Sequence, residues 1–547
     1  MTASVLLIGF QDQDNLGLRY LLSSVRHGGF RGEILTYTAD PGPICEAVAR
    51  TRPDVVGLSL IFQYMAPEFG RVVAALRAAG CSAHITIGGH YPSFDCVEVL
   101  ERIPGADSVV RFEGEATLVE LLERLASGRD WRDILGIAYR RGAEIAVNPL
   151  RPAIDNLDSL PQPERGDIDY RSRDLATASI LGSRGCPWNC SFCSIRPFYE
   201  AQGGRLRRLR DPRAIADEMR RVHVEQGARI FLFQDDDFLA TGARARDWAS
   251  GLVDRILDMG LADRIAFKIS CRSDEVQAPI IERLAAGGLA HVYMGVESGD
   301  ADGLRHMNKM LKPAQHLAAG DVLRALGLSF DFGFMLLEPY STLDSTRANI
   351  DFLDAFVGDG WSVANFCRTL PYAGTPLKAQ LEAEGRLKGT PFEPDYDFLD
   401  PRLDRFYDWM LATFRQRNFS NGGLCHILRA LIFEAHLRLP GYRGFAALDR
   451  AYAHSLAARC NGYALNTLRA AVDYFARTPV ERIDINRGYL AELTAHELAE
   501  ERKLTAQVLA FFVSVRERSG LTQEFAGSFE NSWTAGPRDI EAAVPIN

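Results

Sequence analysis

The sequence predicts an α/β protein with a doubly wound N-terminal sheet, a partial barrel of six strand–helix units and an α-helical C-terminal domain. Three observations lead to this prediction. Short apolar segments alternate with helical patterns over residues 1–140, the alternation resumes over 175–385, and strand-like segments stop beyond about residue 386. Such alternation is typical of parallel sheets, in which helices form the crossovers. A hairpin and Pro-rich linker (141–174), a helical region (386–520) and a polar tail (521–547) complete the predicted organisation.

The first series contains five predicted strands, each a short run rich in Val, Ile and Leu. They are SVLLIGF (4–10), EILTYTA (33–39), DVVGLSLI (54–61), HITIGG (84–89) and SVVRFEG (108–114). The segment GIAYRRGAEIAVNPL (136–150) predicts a hairpin that turns at Arg141–Gly142. Doubly wound sheets bind their ligands beyond the carboxyl ends of the strands, so we expect a ligand site at that edge.

The second series contains six predicted strands. They are ATASILGS (176–183), RIFLFQ (229–234), IAFKIS (265–270), HVYMGVES (291–298), LSFDFGFML (328–336) and WSVANFCRTL (361–370). Six units are fewer than the eight of a closed barrel, so we expect a partial (β/α)6 barrel. Amphipathic helical patterns follow at 405–417, 424–439 and 494–518.

Composition and charge exclude several classes of function. The net charge of −9 is not that of a protein whose main role is to bind nucleic acid. No apolar run approaches the roughly 18 residues that a membrane span needs. The N-terminus lacks the basic segment of a secretory signal. We therefore expect a cytoplasmic protein with neither nucleic acid nor membrane among its partners.

The ten cysteines fall into two groups. Seven are scattered singly, and we expect them to be small buried side chains rather than disulfide partners. The other three, Cys186, Cys190 and Cys193, lie within eight residues of each other, after an apolar strand. Three thiolates on one loop can hold three irons of a [4Fe–4S] cluster and leave the fourth iron open. A structural zinc site would need a fourth ligand, and a Cys-x-x-Cys redox pair would leave Cys186 unexplained.

This Cys-x-x-x-Cys-x-x-Cys loop resembles the signature of the radical SAM superfamily, which follows the first strand of a six-stranded partial barrel. The aromatic Phe192 before the last cysteine also fits. The resemblance implies that S-adenosylmethionine chelates the open iron through its methionine amine and carboxylate. One-electron reduction would then release a 5′-deoxyadenosyl radical that abstracts hydrogen from an unactivated position. An external electron donor of the flavodoxin or ferredoxin type is implied as a partner.

The resemblance also implies S-adenosylmethionine contacts at the ends of the barrel strands. The candidates are Gln234, Asp235 and Asp236 after the second strand, Ser270 and Arg272 after the third, Glu297 after the fourth and Met335 on the fifth. An acidic side chain suits the methionine ammonium. The alternatives are a solvated acidic turn at 234–238 and a structural carboxylate at Glu297.

The N-terminal domain resembles cobalamin-binding domains, whose first loop reads Asp-x-His-x-x-Gly. Here the loop has Asp12, Asp14 and Gly17, so that a carboxylate replaces the histidine. Further matching positions are Ser59, Gly88, Gly89 and Gly114. Small residues there would admit the nucleotide tail of the cofactor. The segment contains neither G-x-G-x-x-G nor a P-loop, so dinucleotide and triphosphate sites lack their motifs.

Histidine is the residue that binds cobalt from below in the histidine-containing members of that family. With Asp14 in its place, we predict base-off cobalamin with no histidine ligand from this loop. The candidates for covering the lower face of the cobalt are Phe62, Gln63 and Tyr64.

Both resemblances together, over roughly residues 4–385, imply a cobalamin-dependent radical SAM enzyme. Most characterised members are methyltransferases, so the first hypothesis is methyl transfer from methylcobalamin to an unactivated centre of a small natural-product substrate. The second is non-methylating radical chemistry such as ring contraction or cyclisation, and the third is a sensory regulator. We expect the C-terminal helices to cover the active site and to select the substrate.

Overall fold

The computed structural model describes residues 3–11, 14–166, 171–172, 175–439, 447–483 and 488–519. The chain forms two compact units, each built from separate stretches of sequence. The first comprises Met1–Asp169, Leu181–Ala214 and Leu370–Tyr396, and the second comprises Tyr170–Ile180, Ile215–Thr369 and Asp397–Asn547.

The first unit contains a seven-stranded sheet in the order β2-β1-β3-β4-β5-β6-β7. Its strands are β1 (Ser4–Gly9), β2 (Arg31–Thr36), β3 (Val55–Ser59), β4 (His84–Gly88), β5 (Ser108–Val110), β6 (Ile137–Arg141) and β7 (Glu144–Val147). Its crossover helices are α1 (Leu16–His27), α2 (Gly42–Thr51), α3 (Ala66–Ala78), α4 (His90–Phe94), α5 (Cys96–Arg102) and α6 (Glu115–Ala126). The first five strands are parallel, as predicted.

The core strands of this sheet are apolar because helices cover both faces. Ile8, Val56 and Ile85 are fully buried. Continuous burial of this kind explains why β1, β3 and β4 read as uninterrupted Val, Ile and Leu runs instead of alternating patterns. The hairpin β6–β7 is antiparallel and pairs with β5, so it extends the sheet. The sequence predicts this hairpin as part of the linker region 141–174, whereas its pairing with β5 places it in the sheet.

The cysteine segment, which the sequence predicts as part of the barrel region 175–385, falls within the first compact unit. Its elements are β10 (Ser183–Arg184), α7 (Ile195–Ala201) and β11 (Arg208–Leu209), and β10 pairs antiparallel with β11. The stretch Leu370–Tyr396 adds α14 (Pro376–Ala383) and a hairpin of β17 (Leu387–Gly389) and β18 (Pro394–Tyr396). The expectation that strands stop at about residue 386 is therefore wrong. Strands of three residues are too short to show an alternating pattern.

The second unit contains the predicted partial barrel, a sheet in the order β16-β15-β14-β13-β12-β9-β8. The parallel strands are β9 (Leu175–Ile180), β12 (Ile230–Phe233), β13 (Ala266–Arg272), β14 (Leu289–Glu297), β15 (Ser329–Leu337) and β16 (Cys367–Arg368), while β8 (Arg171–Ser172) pairs antiparallel with β9. Its helices are α8 (Pro212–Gln226), α9 (Ala243–Asp258), α10 (Ala278–Ala286), α11 (Ala301–His306), α12 (Pro313–Ala325) and α13 (Leu343–Val357). The α/β fold class is confirmed.

The C-terminal part of the second unit is helical. It contains α15 (Pro401–Phe419), α16 (Leu424–His436), α17 (Ala447–Arg477), α18 (Val480–Ile483) and α19 (Gly488–Ser519). Helix α16 lies against the inner face of the barrel sheet, where its Phe433 packs with Ile230, Ala266 and Ala290. The opposite face of the sheet packs on the crossover helices, as in the contact between Phe332 and Phe356. The predicted tail 521–547 lies outside the described residues.

Two further sequence predictions concern disulfides and membrane-spanning segments. The seven scattered cysteines, all within the described ranges, form no disulfide; they are Cys45, Cys81, Cys96, Cys271, Cys367, Cys425 and Cys460. Among the residues that the structure describes, no helix combines the length and apolar character of a transmembrane segment.

One buried carboxylate joins the cysteine segment to the first sheet. Glu113, just before α6, accepts hydrogen bonds from Arg184 at 2.8 Å and from Arg208 at 2.9 and 3.0 Å. Arg184 also donates to Glu115 at 2.6 Å, and the Ile154 amide donates to Glu113 at 2.8 Å. Burial alone would raise the pKa of Glu113, but the two guanidinium groups lower it overall. Glu113 is therefore ionised, and it fixes both strands of the β10–β11 ribbon.

We expect Glu113→Gln to lower the free energy of unfolding by about 3–5 kcal/mol, because it leaves buried guanidinium charge without its carboxylate. Urea unfolding measures the loss, and hydrogen–deuterium exchange of residues 183–209 locates it. The control is Glu144→Gln, whose carboxylate is 81% exposed and 3.7 Å from Arg141. This variant should change stability by less than about 0.5 kcal/mol. Equal losses in the two variants would contradict the role assigned to Glu113.

Candidate functional site

The three cysteines occupy one compact loop between β10 and α7. Gly185, which precedes Cys186, has a φ of +92°, and a side chain there would overlap the carbonyl oxygen of Leu206. Glycine is therefore required where the chain enters the loop. The amide of Cys193 donates to the carbonyl oxygen of Cys190 at 3.1 Å, which closes the turn. Cys190 is buried, and the other two cysteines are half-buried.

The donor set of this loop, three cysteine thiols, fits an iron–sulfur cluster. In a [4Fe–4S] cluster each thiolate binds a different iron, so three cysteines surround the cube instead of converging on a point. Phe192 lies half-buried beside Cys193. The three thiols of the loop have the number and the spacing that would bind three irons of the cluster and leave the fourth iron open.

The far side of the cysteine loop contacts the segment that follows β4. His90 comes directly after Gly88 and Gly89, and its Nε2 atom lies 2.7 Å from the hydroxyl of Ser194, which follows Cys193. The imidazole of His90 also stacks on Phe198, with ring centroids 4.6 Å apart. Burial lowers the pKa of His90 to about 4, so the ring is neutral. The cysteine loop and the glycine turn after β4 therefore belong to one packed structure.

The residues expected to bind cobalamin lie at the carboxyl edge of the first sheet. Ser59 ends β3 and is paired in register with Gly88, which ends β4. Gly89 has a φ of +114°, and a side chain there would overlap the carbonyl oxygen of Leu60. Gly114 packs against Val110, where a Cβ atom would approach within 3.1 Å. The edge therefore carries small residues at the predicted positions.

The loop after β1 is held by a buried ion triad. Asp14 pairs with Arg19 and with Arg165, whose Nη1 atom lies 2.8 Å from the carboxylate, and all three side chains are buried. Gly17, in the first turn of α1, is exposed, and a side chain there would meet only Asn15, at 3.5 Å. Asp12 lies outside the described residues. Asp14 is thus paired with two arginines. A ligand could approach the surface of α1 closely at Gly17, because no side chain projects there.

Phe62, Gln63 and Tyr64 follow β3 at the same edge. The rings of Phe62 and Tyr64 stack with centroids 5.6 Å apart, and both side chains are half-buried. The Tyr64 hydroxyl is a buried oxygen with no hydrogen-bond partner among the described residues. Gln63 points away from this pair, because it accepts from the amide of Ala373 at 2.7 Å. The aromatic pair and the Tyr64 hydroxyl suit a large planar polar ligand. Gln63 instead binds the stretch 370–396 through its hydrogen bond with Ala373.

In the second unit, the expected S-adenosylmethionine contacts lie towards the carboxyl ends of the barrel strands. Ser270 on β13, Glu297 on β14 and Met335 on β15 share the inner face of the sheet. This follows from the register of the three strands, because side chains alternate between the two faces along each strand. Ser270 and Glu297 are half-buried. The Met335 sulfur accepts a hydrogen bond from Thr369 at 3.1 Å. The structure thus brings these three residues onto one surface.

The acidic turn after β12 divides into exposed and buried parts. Gln234 donates to the Ser179 hydroxyl at 3.2 Å, Asp235 is buried and Asp236 is exposed. Asp237, the next residue of this turn, is hydrogen-bonded to Glu275, which follows β13. Burial and the Asp237 carboxylate raise the pKa of Glu275 to about 9, so these two carboxyl groups share a proton.

Glu297, at the end of β14, has an unusual backbone conformation. Its φ is +68°, which is rare for residues with a side chain and costs about 1–3 kcal/mol. Lys309 lies 3.1 Å from its carboxylate, and Arg272 donates to the carbonyl oxygen of Lys309 at 2.9 Å. Strain of this kind is concentrated at functional sites. Sequence reasoning missed Lys309, because nothing in the run HMNKM indicates that it meets a strand twelve residues earlier.

Two protein-family models match the chain. The B12 binding domain model matches residues 9–122. The radical SAM superfamily model matches residues 180–352.

Three relatives show which activities occur in similar chains. An uncharacterized methyltransferase of Pyrococcus horikoshii is 28% identical over 77% of this chain and 88% of its own length. The anaerobic magnesium-protoporphyrin IX monomethyl ester cyclase of Cereibacter sphaeroides is 26% identical over 66% of this chain and 59% of its own. The hopanoid C-3 methylase of Methylococcus capsulatus is 27% identical over 66% of this chain and 67% of its own.

Among solved structures, the cobalamin-dependent S-adenosylmethionine radical enzyme OxsB has a similar fold. It superposes with a TM-score of 0.70 at 16% identity, over 97% of this chain and 82% of its own. The two domain matches decide the family. The chain is a radical SAM protein with an N-terminal B12-binding domain, and it belongs with the cobalamin-dependent radical SAM enzymes.

Proposed function

We propose that the chain is a methyltransferase that delivers a methyl group from cobalamin to an unactivated centre of a small molecule. The observation that carries the proposal is the packing of the cysteine loop and the glycine turn after β4 in one unit, through His90 and Ser194. When bound, the [4Fe–4S] cluster and S-adenosylmethionine supply hydrogen abstraction, and the corrinoid supplies the methyl group. Methyltransferases among the relatives support this choice.

The residues of the chain would have distinct tasks in this reaction. Cys186, Cys190 and Cys193 would hold the cluster, and Ser59 and Gly88 would border the tail of the cobalamin. Phe62 and Tyr64 would cover the lower face of the cobalt and exclude water from it. Ser270, Arg272 and Glu297 would orient S-adenosylmethionine. An external electron donor of the flavodoxin or ferredoxin type belongs to the proposal, because the cluster has to be reduced.

Trideuteromethyl S-adenosylmethionine tests methyl transfer without knowledge of the substrate. The enzyme is loaded with cluster and cobalamin and incubated anaerobically with a strong reductant. We expect deuterium in the corrinoid fraction with an equal amount of S-adenosylhomocysteine, and 5′-deoxyadenosine in the same reaction, by mass spectrometry. A reaction that yields 5′-deoxyadenosine but no labelled corrinoid would contradict methyl transfer.

Two cysteine variants control this measurement. Cys190→Ala removes one of the three thiols of the loop and should lose both iron and 5′-deoxyadenosine formation. Cys81→Ala removes a half-buried cysteine outside the loop. It should keep about four irons per chain and the activity of the unsubstituted protein.

The second candidate is non-methylating radical chemistry, which the cyclase relative supports. This chemistry would use the same cysteine loop and the same iron–sulfur cluster as methyl transfer. It predicts 5′-deoxyadenosine without S-adenosylhomocysteine, so the labelling experiment separates the two candidates.

The engagement of Asp14 by Arg19 and Arg165 leads to a spectroscopic prediction. A carboxylate paired with two cations is a poor cobalt ligand, and aromatic rings offer no nitrogen. The electron paramagnetic resonance spectrum of the Co(II) form should therefore lack nitrogen superhyperfine splitting. Phe62→His provides the positive control, because it places an imidazole in the proposed lower-face pair. Nitrogen splitting in the unsubstituted protein would contradict the proposed lower face.

A further inference from the structure

A short stretch of the first unit connects the loop after β3 with the cysteine loop. This stretch, residues 371–377, follows β16 and ends in the first turn of α14, and we call it the strap. Residues 371–375 belong to no helix or strand. Buried backbone amides need hydrogen-bond partners, and those of the strap find theirs in the two loops that it joins.

Gln63 holds the strap on the side of the loop after β3. The residue is 3% exposed, and its side chain accepts from the amide of Ala373 at 2.7 Å. It also donates to the carbonyl oxygen of Pro391 at 3.4 Å. Ala373 is buried in the same apolar core as Leu60 and Tyr91. Because a buried amide without a partner is costly, this bond fixes Gln63 and Ala373 relative to each other.

The cysteine loop holds the other end of the strap. The amide of Leu377 donates to the carbonyl oxygen of Ser191 at 2.8 Å. Ser191 lies between Cys190 and Cys193 in the sequence. Leu377 is in the first turn of α14, where amide groups have no acceptor within the helix. The cysteine loop therefore supplies an acceptor that α14 cannot supply itself.

The middle of the strap packs against α4. Gly374 has a φ of +75°, and a side chain there would overlap the ring of Phe94. Phe94 in turn packs edge-on against His90, with ring centroids 5.4 Å apart. The strap is therefore held at both ends and in the middle, so we expect a change at one end to alter the contacts at the other.

We propose that the strap couples the two cofactor sites, so that the iron–sulfur cluster and cobalamin each bind more tightly when the other is present, with Gln63 as the positioning residue. Gln63 stands between Phe62 and Tyr64, the proposed cover of the lower face of the cobalt. The cluster would bind thiols on both sides of Ser191. The inference rests on the proposed function only for the places that it assigns to the two cofactors.

The cause of the coupling is the ordering of two loops that share one strap. Each cofactor would order the loop that it contacts, and both loops are hydrogen-bonded to the strap. The cofactor that binds second would meet a loop that is already held in place, so less of its binding free energy is spent on ordering. Since coupling is reciprocal, the factor of tightening is the same for both cofactors.

A purely structural role of the strap predicts a different result. If the strap only stabilised the fold, loss of the Gln63 hydrogen bonds would weaken cobalamin binding equally with and without the cluster. The ratio of the two cobalamin affinities would then stay the same. Coupling through the strap makes this ratio depend on Gln63.

Binding of hydroxocobalamin to the full-length protein measures the coupling. One sample carries the reconstituted [4Fe–4S] cluster, and iron has been removed anaerobically from the other with a chelator. We expect the cluster-loaded protein to bind hydroxocobalamin at least about fivefold more tightly in isothermal titration calorimetry. Equal affinities in the two samples would overturn the inference.

Variants of Gln63 assign the coupling to the strap. Gln63→Met retains a long side chain but removes both hydrogen bonds, and it should reduce the ratio of the two affinities to below about twofold. Gln63→Glu keeps an oxygen that can accept from the Ala373 amide, and it should retain the coupling. An unchanged ratio in Gln63→Met would overturn the assignment.

A matched control lies farther along α14. Gln380 is exposed, and its side chain donates to Glu384 on the same helix at 3.1 Å. Gln380→Met should keep the ratio of the unsubstituted protein, and a ratio reduced as in Gln63→Met would contradict a specific role of Gln63.

Hydrogen–deuterium exchange decides if Gln63→Met does not fold. Hydroxocobalamin added to the cluster-free, unsubstituted protein should slow exchange in the strap and in residues 186–193. Unchanged exchange in both segments would overturn the inference.

The outcome is independent of the test of the proposed function. Coupled binding that depends on Gln63, together with failed methyl labelling, would keep the strap and discard the methyltransferase. Successful labelling with equal cobalamin affinities would do the reverse.

Discussion

The carboxylate of Glu113 is the contact on which the arrangement of the first unit depends. It binds Arg184, two residues before the first cysteine of the loop, and Arg208 on the other strand of the ribbon. Through these pairs a β10–β11 ribbon of only two-residue strands acquires a fixed position on a seven-stranded sheet. His90 adds a second attachment on the far side of the loop. The placement of the cysteine loop beside the glycine turn after β4 follows from these buried polar contacts together with the packing of Phe198 on His90 and Phe112.

Both units use buried charge to hold their parts in place. In the first unit, Glu113 binds Arg184 and Arg208, and the single carboxylate of Asp14 binds both Arg19 and Arg165. In the second unit, Asp331 on β15 pairs with Arg429 on α16, which also donates to the carbonyl oxygen of Phe332. These contacts join segments that are far apart in the sequence.

The sequence predicts this fold as far as its local patterns extend. The first five strands are recognisable because helices bury both of their faces, and the cysteine spacing predicts which loop would hold the cluster. Helix α17, with 31 residues, was missed because it packs on α13, α16 and α19 and so has no single apolar stripe. The partners of Glu113 lie 71 and 95 residues away, and Asp331 meets Arg429 only because α16 lies against the sheet. Such pairs depend on the tertiary fold and leave no periodic signal.

The cysteine loop and the glycine turn after β4 form one packed structure, so we propose that cluster and cobalt would act close together. Electron paramagnetic resonance of the protein with Co(II) cobalamin and the reduced [4Fe–4S] cluster tests this most directly. We expect the Co(II) signal to broaden and to relax faster than in Cys190→Ala protein, which would hold cobalamin without the cluster. A Co(II) signal with the same width and relaxation in both samples would contradict it.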